Sequence, residues 1–251
     1  MGAVLKIGEV RMTSDDIIKY LKFNNEFEEI AKRIIDDKVA VVTARQRGTV
    51  LSADEIQQTT DDFRRYAGLH RAKDTQEWLD SLNVTVDDFE SFISDLMLKN
   101  KMIAEITSDK AVEDYFSLHS PDFESVDFKQ IILDDEDKAK EVMALLADEP
   151  DMFDELVLEH SVDEDTRYSH GIMMNVRRGA MSPELEAKVF NAEDGEIVGP
   201  VQLGDQEFYS IVSVLKFHPA ELSDDIKDEV AQTIYNEWLA ERAKDISITA
   251  H

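Results

Sequence analysis

The hydrophobic pattern of the chain changes its period at Ser120-Pro121. Before this point apolar residues recur every three or four positions, as from Phe27 to Ala44, which is the spacing of a helix face. After it, short alternating runs appear between helical stretches, which is typical of a small sheet flanked by helices. Proline also disfavours helical backbone in the residue before it. The sequence therefore predicts an α+β protein, with a mostly helical domain at residues 1–120 and a sheet-containing domain at residues 121–219.

Local signals predict where the helices begin. A short strand is expected in residues 4–12, followed by a helix near Asp15. Ser52 and Glu55 form a capping-box pattern, and Thr85 supplies N-cap chemistry for a longer helix. Thr75 is the predicted start of the helix between them. A last helix is expected from residue 224 to 244, within a C-terminal segment at residues 220–251.

The charge of the chain limits its partners. Lys and Arg number 27 and Asp and Glu number 55, which gives a formal net charge of −28. This balance argues against nucleic acid or an anionic membrane surface as the main partner and favours cationic clients. Solubility alone is the alternative explanation of the acidity. The chain has no apolar run long enough to span a bilayer, so no membrane insertion is expected.

No metal or cofactor is predicted. Cysteine is absent, which excludes disulfides and thiolate ligands. His160, His170 and His218 are too widely spaced to indicate a ligand set. Ser161 has a neighbouring histidine but lacks the Gly-x-Ser-x-Gly pattern of a nucleophilic serine. The N-terminus also lacks a basic region followed by an apolar core, so the expected location is the cytoplasm.

Residues Val126 to Phe217 resemble the parvulin-type peptidyl-prolyl isomerases in order, spacing and residue type. The motifs that carry the resemblance are Gln130-Ile-Ile-Leu, His160-Ser-Val-Asp, Arg178-Gly-Ala-Met-Ser-Pro-Glu-Leu, Asp194-Gly-Glu-Ile-Val-Gly-Pro-Val and Phe208-Tyr-Ser-Ile-Val. The resemblance implies a small antiparallel sheet flanked by helices. It departs from the family at two positions, because Gln130 and Ser210 stand where parvulins carry two facing histidines.

The whole chain is similar to the SurA/PrsA-type foldase chaperones. The helical residues 1–120 resemble the chaperone module of that family, and the ending EWLAERAKDISI resembles its C-terminal helix. The likeness implies that the last helix packs back on the N-terminal domain. The chain also resembles signal-less cytosolic relatives that are linked to peptide maturation or export.

The resemblance assigns candidate site residues. Asp163, Gln130 and Ser210 are the catalytic candidates, and Met173, Met181 and Leu185 are the candidates for the apolar slot that receives proline. Each has a structural alternative: Asp163 as a loop cap, the methionines as ordinary core, and Gln130 and Ser210 as structural replacements. Glutamine and serine can still donate and accept hydrogen bonds. Whether isomerase activity survives therefore stays open.

Three functions remain at this point. The first is a parvulin-like isomerase and foldase that acts on unfolded or precursor polypeptides containing Xaa-Pro. The second is a catalytically degenerate chaperone or adaptor that presents a precursor peptide to a maturation enzyme or exporter. The third is an escort for a basic partner subunit, which the acidic charge would favour.

Overall fold

The computed structural model describes residues 5–204 and 207–245. Two compact units divide the chain, one built from residues 1–112 and 231–251 and the other from residues 113–230. The sequence prediction placed the limits at residues 120 and 219, whereas the observed limits fall inside the helices of residues 109–119 and 224–245. No helix in the described residues is both long enough and apolar enough to cross a membrane.

The first unit is helical apart from an N-terminal hairpin. Its elements are β1 (Leu5–Ile7), β2 (Val10–Met12), α1 (Ser14–Phe23), α2 (Phe27–Gln46), α3 (Ala53–Tyr66), α4 (Ala72–Leu82), α5 (Val86–Ile106), the start of α6 (Asp109–His119) and most of α10 (Asp224–Asp245). One strand was predicted at the start, but the segment forms two, because Gly8 turns the chain at φ +60°. Only glycine adopts this angle without steric cost.

Capping residues start the helices as the sequence predicts, with one exception. The Ser52 hydroxyl accepts from the Glu55 amide while the Glu55 carboxylate accepts from the Ser52 amide, and Thr85 and Asp88 pair in the same way. The prediction that Thr75 begins α4 is wrong. This helix begins three residues earlier, where the Asp74 carboxylate accepts from the Arg71 amide. Thr75 instead accepts a hydrogen bond from Arg64 Nε at 2.9 Å.

Two apolar clusters hold the first unit together. The first cluster joins α2 to α5 and is formed by Ala40, Val41, Ala44, Leu98 and Met102. Trp238 of α10 packs against it. This contact confirms that the C-terminal helix returns to the N-terminal domain. The second cluster is formed by Leu79, Phe89, Ile93 and Met97.

The second unit is built around a four-stranded antiparallel sheet in the order β4-β3-β6-β5. Its elements are β3 (Ser125–Leu133), α7 (Glu136–Asp148), α8 (Phe153–His160), β4 (Ile172–Arg177), α9 (Pro183–Val189), β5 (Ile197–Gln202) and β6 (Tyr209–His218). The sequence pattern does not indicate the strand β4. This strand occupies an edge of the sheet and pairs with β3 through an irregular register, so its sequence carries no clean alternation.

Alternate residues of the central strands β3 and β6 face opposite sides of the sheet. Ile131, Leu133 and Ile211 pack with α7 and α8 on one side. Phe128, Val212 and Val214 pack with α9 on the other, together with Leu185 and Val189. The candidate site lies on the α9 side, because Gln130 is two residues from Phe128 and Ser210 is two residues from Val212.

Candidate isomerase site

A hydrogen bond joins the two positions where histidines were expected. Gln130 Nε2 donates to Ser210 Oγ at 2.7 Å. In the antiparallel register Gln130 lies opposite Val212 and Ser210 opposite Ile132, so the two side chains meet diagonally across neighbouring strands. Ser210 is fully buried, whereas Gln130 is partly exposed. The pair is therefore a neutral polar group set in the apolar face of the sheet.

Two glycines allow the backbone to close around this pair. Gly171 has φ +69°, and a Cβ atom there would lie 2.2 Å from the carbonyl oxygen of Gln130. Gly199 has φ +133°, and its Cβ would lie 2.7 Å from the carbonyl oxygen of Ser210. Both positions require glycine because of the angle and because of the contact. Gly171 is the glycine that survives from the turn of the parvulin pattern.

The loop that carries Asp163 is tied to the same strand. Ser161 is buried, and its hydroxyl accepts from the Ile132 amide at 3.2 Å. The Gly171 amide donates to the Thr166 carbonyl at 2.9 Å, and the Gln130 amide donates to the Gly171 carbonyl at 2.9 Å. The loop is thus hydrogen-bonded to β3 at Gln130 and at Ile132.

Both carboxylate oxygens of Asp163 are used within its own loop. One accepts from the Thr166 hydroxyl, and the other accepts from the Asp165 amide at 3.1 Å. This arrangement is an Asx turn closed by a threonine, a local motif that aspartate commonly forms. The structure places Asp163 near the site, with a geometry that fits the loop-cap alternative.

The three apolar candidates lie on the α9 side of the sheet. Met173 on β4 and Met181 before α9 are partly buried and pack against the cluster that contains Phe128. Leu185 is only 2% exposed and belongs to the interior of that cluster. The methionines can therefore contact a bound ligand, whereas Leu185 supports them from within the core.

A buried, hydrogen-bonded carboxylate that the sequence did not indicate lies on β3. Asp127 is 6% exposed, and its carboxylate accepts from the Asn175 amide at 2.7 Å and contacts His218 Nε2 at 2.7 Å. Burial by itself would raise the pKa of Asp127. The hydrogen bonds from Asn175 and His218, with the nearby positive charges, outweigh it and leave the pKa below its ordinary value. The pair depends on a bulge between Asp127 and Phe128, so sequence spacing gave no sign of it.

No metal site is visible in the described part of the chain, since no three His, Asp or Glu side chains there are grouped to hold an ion. The polar groups at the candidate site are an amide and a hydroxyl in a hydrogen bond, with two methionines on the same face. Such a site can bind an apolar ring beside a polar amide. It offers no nucleophile activated by a base.

The chain is similar to known proteins, both in its second unit and along most of its length. Residues 129–216 match the model of the rotamase family, described as the PPIC-type PPIASE domain. The foldase protein PrsA of Halalkalibacterium halodurans is 23% identical over 96% of this chain and 71% of its own length. PrsA of Caldanaerobacter subterraneus is 25% identical over 73% of this chain and 55% of its own length. A crystal structure of PrsA from Bacillus cereus aligns with 99% of this chain and 93% of that one, at 15% identity and a TM-score of 0.47.

The four-stranded sheet and the matched residues 129–216 define a rotamase domain of the parvulin type. The chain is similar to PrsA foldases along most of its length, which supports a parvulin-type foldase chaperone. The rotamase and foldase families imply unfolded, proline-containing polypeptides as substrates. The resemblance to the parvulins and to the SurA/PrsA-type foldases is thereby confirmed, and the link to cytosolic relatives stays a prediction.

Proposed function

We propose that the second unit isomerises Xaa-Pro bonds on the neutral polar pair Gln130–Ser210, which we call the floor of the site. Gln130 contacts the substrate, and Ser210 holds Gln130 in place. The observation that carries the proposal is the 2.7 Å hydrogen bond between the two side chains. Ser210 is fully buried and therefore acts through its partner. Gln130 is partly exposed and keeps a second Nε2 hydrogen and its amide oxygen for a ligand.

The reaction makes modest chemical demands. Rotation about a peptide bond has a barrier of roughly 18–20 kcal/mol because the C–N bond has partial double-bond character. Proline narrows the energy gap between cis and trans but leaves exchange slow. A catalyst needs only to bind the twisted amide more tightly than either planar form. A fixed hydrogen-bond donor such as Gln130 favours the twisted form, since the twisted nitrogen regains a lone pair that can accept.

Met173 and Met181 are the proposed walls of the proline slot. Both are partly exposed, both pack against the core cluster below, and methionine adapts its shape to varied ligands. Met181→Asp should lower the affinity for a proline-containing peptide, because a charge would be placed in an apolar slot. Unchanged affinity in a folded variant would contradict the slot assignment.

The decisive assay is cis–trans exchange on a panel of Xaa-Pro peptides, followed by NMR exchange or coupled proteolysis. Gln130→Ala should reduce kcat/KM by about 5- to 30-fold, which corresponds to one lost hydrogen bond of about 1–2 kcal/mol. Ser210→Ala should produce a similar but smaller loss. Ser213→Ala is the matched control, because Ser213 lies three residues further along β6 and its side chain points to the opposite side of the sheet. Equal activity in all four proteins would remove the proposed floor.

A second function is favoured by the geometry of Asp163. Each of its two carboxylate oxygens already accepts a hydrogen bond within the loop, from the Asp165 amide and from the Thr166 hydroxyl, so the loop holds the acidic catalytic candidate in a local turn. On this reading the unit binds Xaa-Pro segments without accelerating their exchange. Peptide binding with an exchange rate equal to the spontaneous one would support this function. A loss of catalysis in Asp163→Ala, with the fold retained, would exclude it.

The partners and the location are also proposals. A precursor polypeptide, a peptide maturation enzyme or an exporter would fit the second function, and the cytoplasm is the proposed location. An escort of a basic subunit should bind through charge, so its affinity should fall steeply as salt rises, whereas apolar capture should not. Crosslinking in cells followed by fractionation tests the partner and the location together.

A further inference from the structure

Methionine is the only sulfur-containing residue type of this chain, which has nine methionines and no cysteine. Three of the nine lie within nine residues of the second unit, at Met173, Met174 and Met181. An oxidant that attacks sulfur therefore has only thioethers to attack, and a third of them lie in one short segment. Their surroundings decide which of the three can affect the candidate site.

Met173 and Met174 face opposite sides of the sheet, because successive strand residues alternate. Met173 lies opposite Phe128 in the register of β3 and β4 and packs against the cluster that contains Phe128. Gln130 is two residues further along β3 than Phe128, so its side chain is on the same face and diagonal to Met173. Met174 points away from this cluster and is 59% exposed. The two neighbours thus form a matched pair, with one methionine beside the candidate site and the other on the far side of the sheet.

Met181 belongs to the same side of the sheet as Met173. It precedes α9, is partly exposed and packs against the same cluster. In the first unit, by contrast, Met97 and Met102 are 6% and 1% exposed, so a dissolved oxidant has little access to them. Accessibility therefore separates the methionines of the candidate site from those of the helical core.

Oxidation changes the chemistry of a methionine wall. Hydrogen peroxide transfers one oxygen atom to the thioether sulfur: the O–O bond breaks, an S–O bond forms, and the second oxygen leaves as water with both protons. Sulfur gives up two electrons and the peroxide takes them. The product is a polar sulfoxide, which reductases convert back to the thioether. A polar group in an apolar slot costs free energy unless it finds a hydrogen-bond partner.

We propose that Met173 and Met181 form an oxidation site through which peroxides reversibly close the proline slot, a role that rests on the proposed function because the same side chains would be the walls that receive proline. With both sulfurs oxidised, two sulfoxide dipoles face the place of the apolar proline ring. Gln130 and Ser210 carry no sulfur, so the floor of the site stays chemically unchanged. The oxidised protein is folded but no longer holds Xaa-Pro segments.

The test measures the affinity of the full-length protein for a Xaa-Pro peptide by calorimetry, before and after treatment with hydrogen peroxide. Peptide mapping by mass spectrometry identifies the methionines that have gained oxygen. Wild type oxidised at Met173 and Met181 should bind at least about tenfold more weakly. Methionine sulfoxide reductases of both stereospecificities should restore the affinity.

Two variants separate the slot from its exposed neighbour. In Met174→Leu the loss of affinity on oxidation should equal the loss in wild type, because Met174 lies on the other side of the sheet. In the double variant Met173→Leu with Met181→Leu, peroxide should leave the affinity at the value that this variant had before treatment. Leucine is close to methionine in volume, so both variants should keep the packing of the unit.

Four outcomes would overturn the oxidation site while the proposed function stands. These are an unchanged affinity of oxidised wild type, an equal loss in the double variant, Met173 and Met181 that resist peroxide while Met174 is oxidised, and faster hydrogen exchange of the β3 amides, which would assign the loss to unfolding. Absence of peptide binding before any treatment would instead refute the slot of the proposed function, and the oxidation site with it.

Discussion

Replacing Gly171 by alanine tests the contact that fixes Gln130 in the site. The Cβ atom would lie 2.2 Å from the carbonyl oxygen of Gln130 and 3.0 Å from its nitrogen, where ordinary contacts begin at 3.4 Å. Real Cβ contacts are essentially never shorter than 3.0 Å, so the backbone must move by at least 3.0 − 2.2 = 0.8 Å. The movement strains two hydrogen bonds of 2.9 Å, from the Gln130 amide to the Gly171 carbonyl and from the Gly171 amide to the Thr166 carbonyl.

The expected cost has two parts. Holding alanine at φ +69° costs roughly 1–2 kcal/mol, and relieving an overpacked contact costs roughly 1–3 kcal/mol. The second unit should therefore lose roughly 2–5 kcal/mol of its free energy of unfolding. Gly179→Ala is the matched control. Gly179 has φ +80° in the same unit, but nothing lies within 4 Å of the position of its Cβ, so it should cost only roughly 1–2 kcal/mol.

Hydrogen exchange of the β3 and β6 amides in the full-length protein measures this loss within the second unit. Each 1.4 kcal/mol makes exchange about tenfold faster, so Gly171→Ala should exchange about 5- to 150-fold faster than Gly179→Ala. Equal exchange in the two variants would refute the reasoning, because the close contact with Gln130 would then carry no energy. Isomerase activity should fall with Gly171→Ala even where the fold persists, since Gln130 is displaced.

Three further outcomes follow from the structure. The pKa of Asp127 lies below its ordinary value, so the stabilisation from its carboxylate is present above about pH 4 and is lost as the pH falls through the folded-state pKa. In acid unfolding, the stabilities of wild type and Asp127→Asn should converge in that range. A difference in stability that stays constant with pH would contradict the pairing with His218. Ile93→Ala removes a side chain with 0% exposure and should lower the free energy of unfolding by about 2–5 kcal/mol, as measured by urea unfolding followed by Trp fluorescence. Leu118→Ala, at an 80% exposed site, should change it by less than about 0.5 kcal/mol. Isomerase kcat/KM should stay flat between about pH 6 and 8, because amide and hydroxyl groups do not titrate there; a midpoint near about 6.5 would indicate a histidine in the reaction.

The helical half of the protein was predictable from local signals. The pairs Ser52–Glu55 and Thr85–Asp88 start their helices as expected, because a capping box needs only residues three positions apart. The start of α4 was missed because Thr75 bonds to Arg64, eleven residues away. The helix begins instead at the Arg71–Asp74 capping pair, in which arginine replaces the usual serine or threonine and therefore gives no familiar sequence signal.

The resemblance to parvulins suggested the residues of the candidate site but gave no information on their geometry. The motifs located Gln130, Ser210, Asp163 and the two methionines. They did not indicate that Gln130 and Ser210 form a hydrogen bond across the strands. Nor did they indicate that the carboxylate oxygens of Asp163 accept hydrogen bonds from Thr166 and Asp165. Strand register decides the first and loop closure decides the second.

The sequence by itself determined the class of fold, the helix starts that have capping residues, and the family, because periodicity, capping and motif spacing are properties of neighbouring residues. Only the tertiary structure decided the edge strand β4, the pairing of Asp127 with His218 and the exposure of the N-terminal hairpin. Each of these depends on which distant segment lies alongside. Burial and cross-strand contact are set by the whole chain, so no short window of sequence contains them.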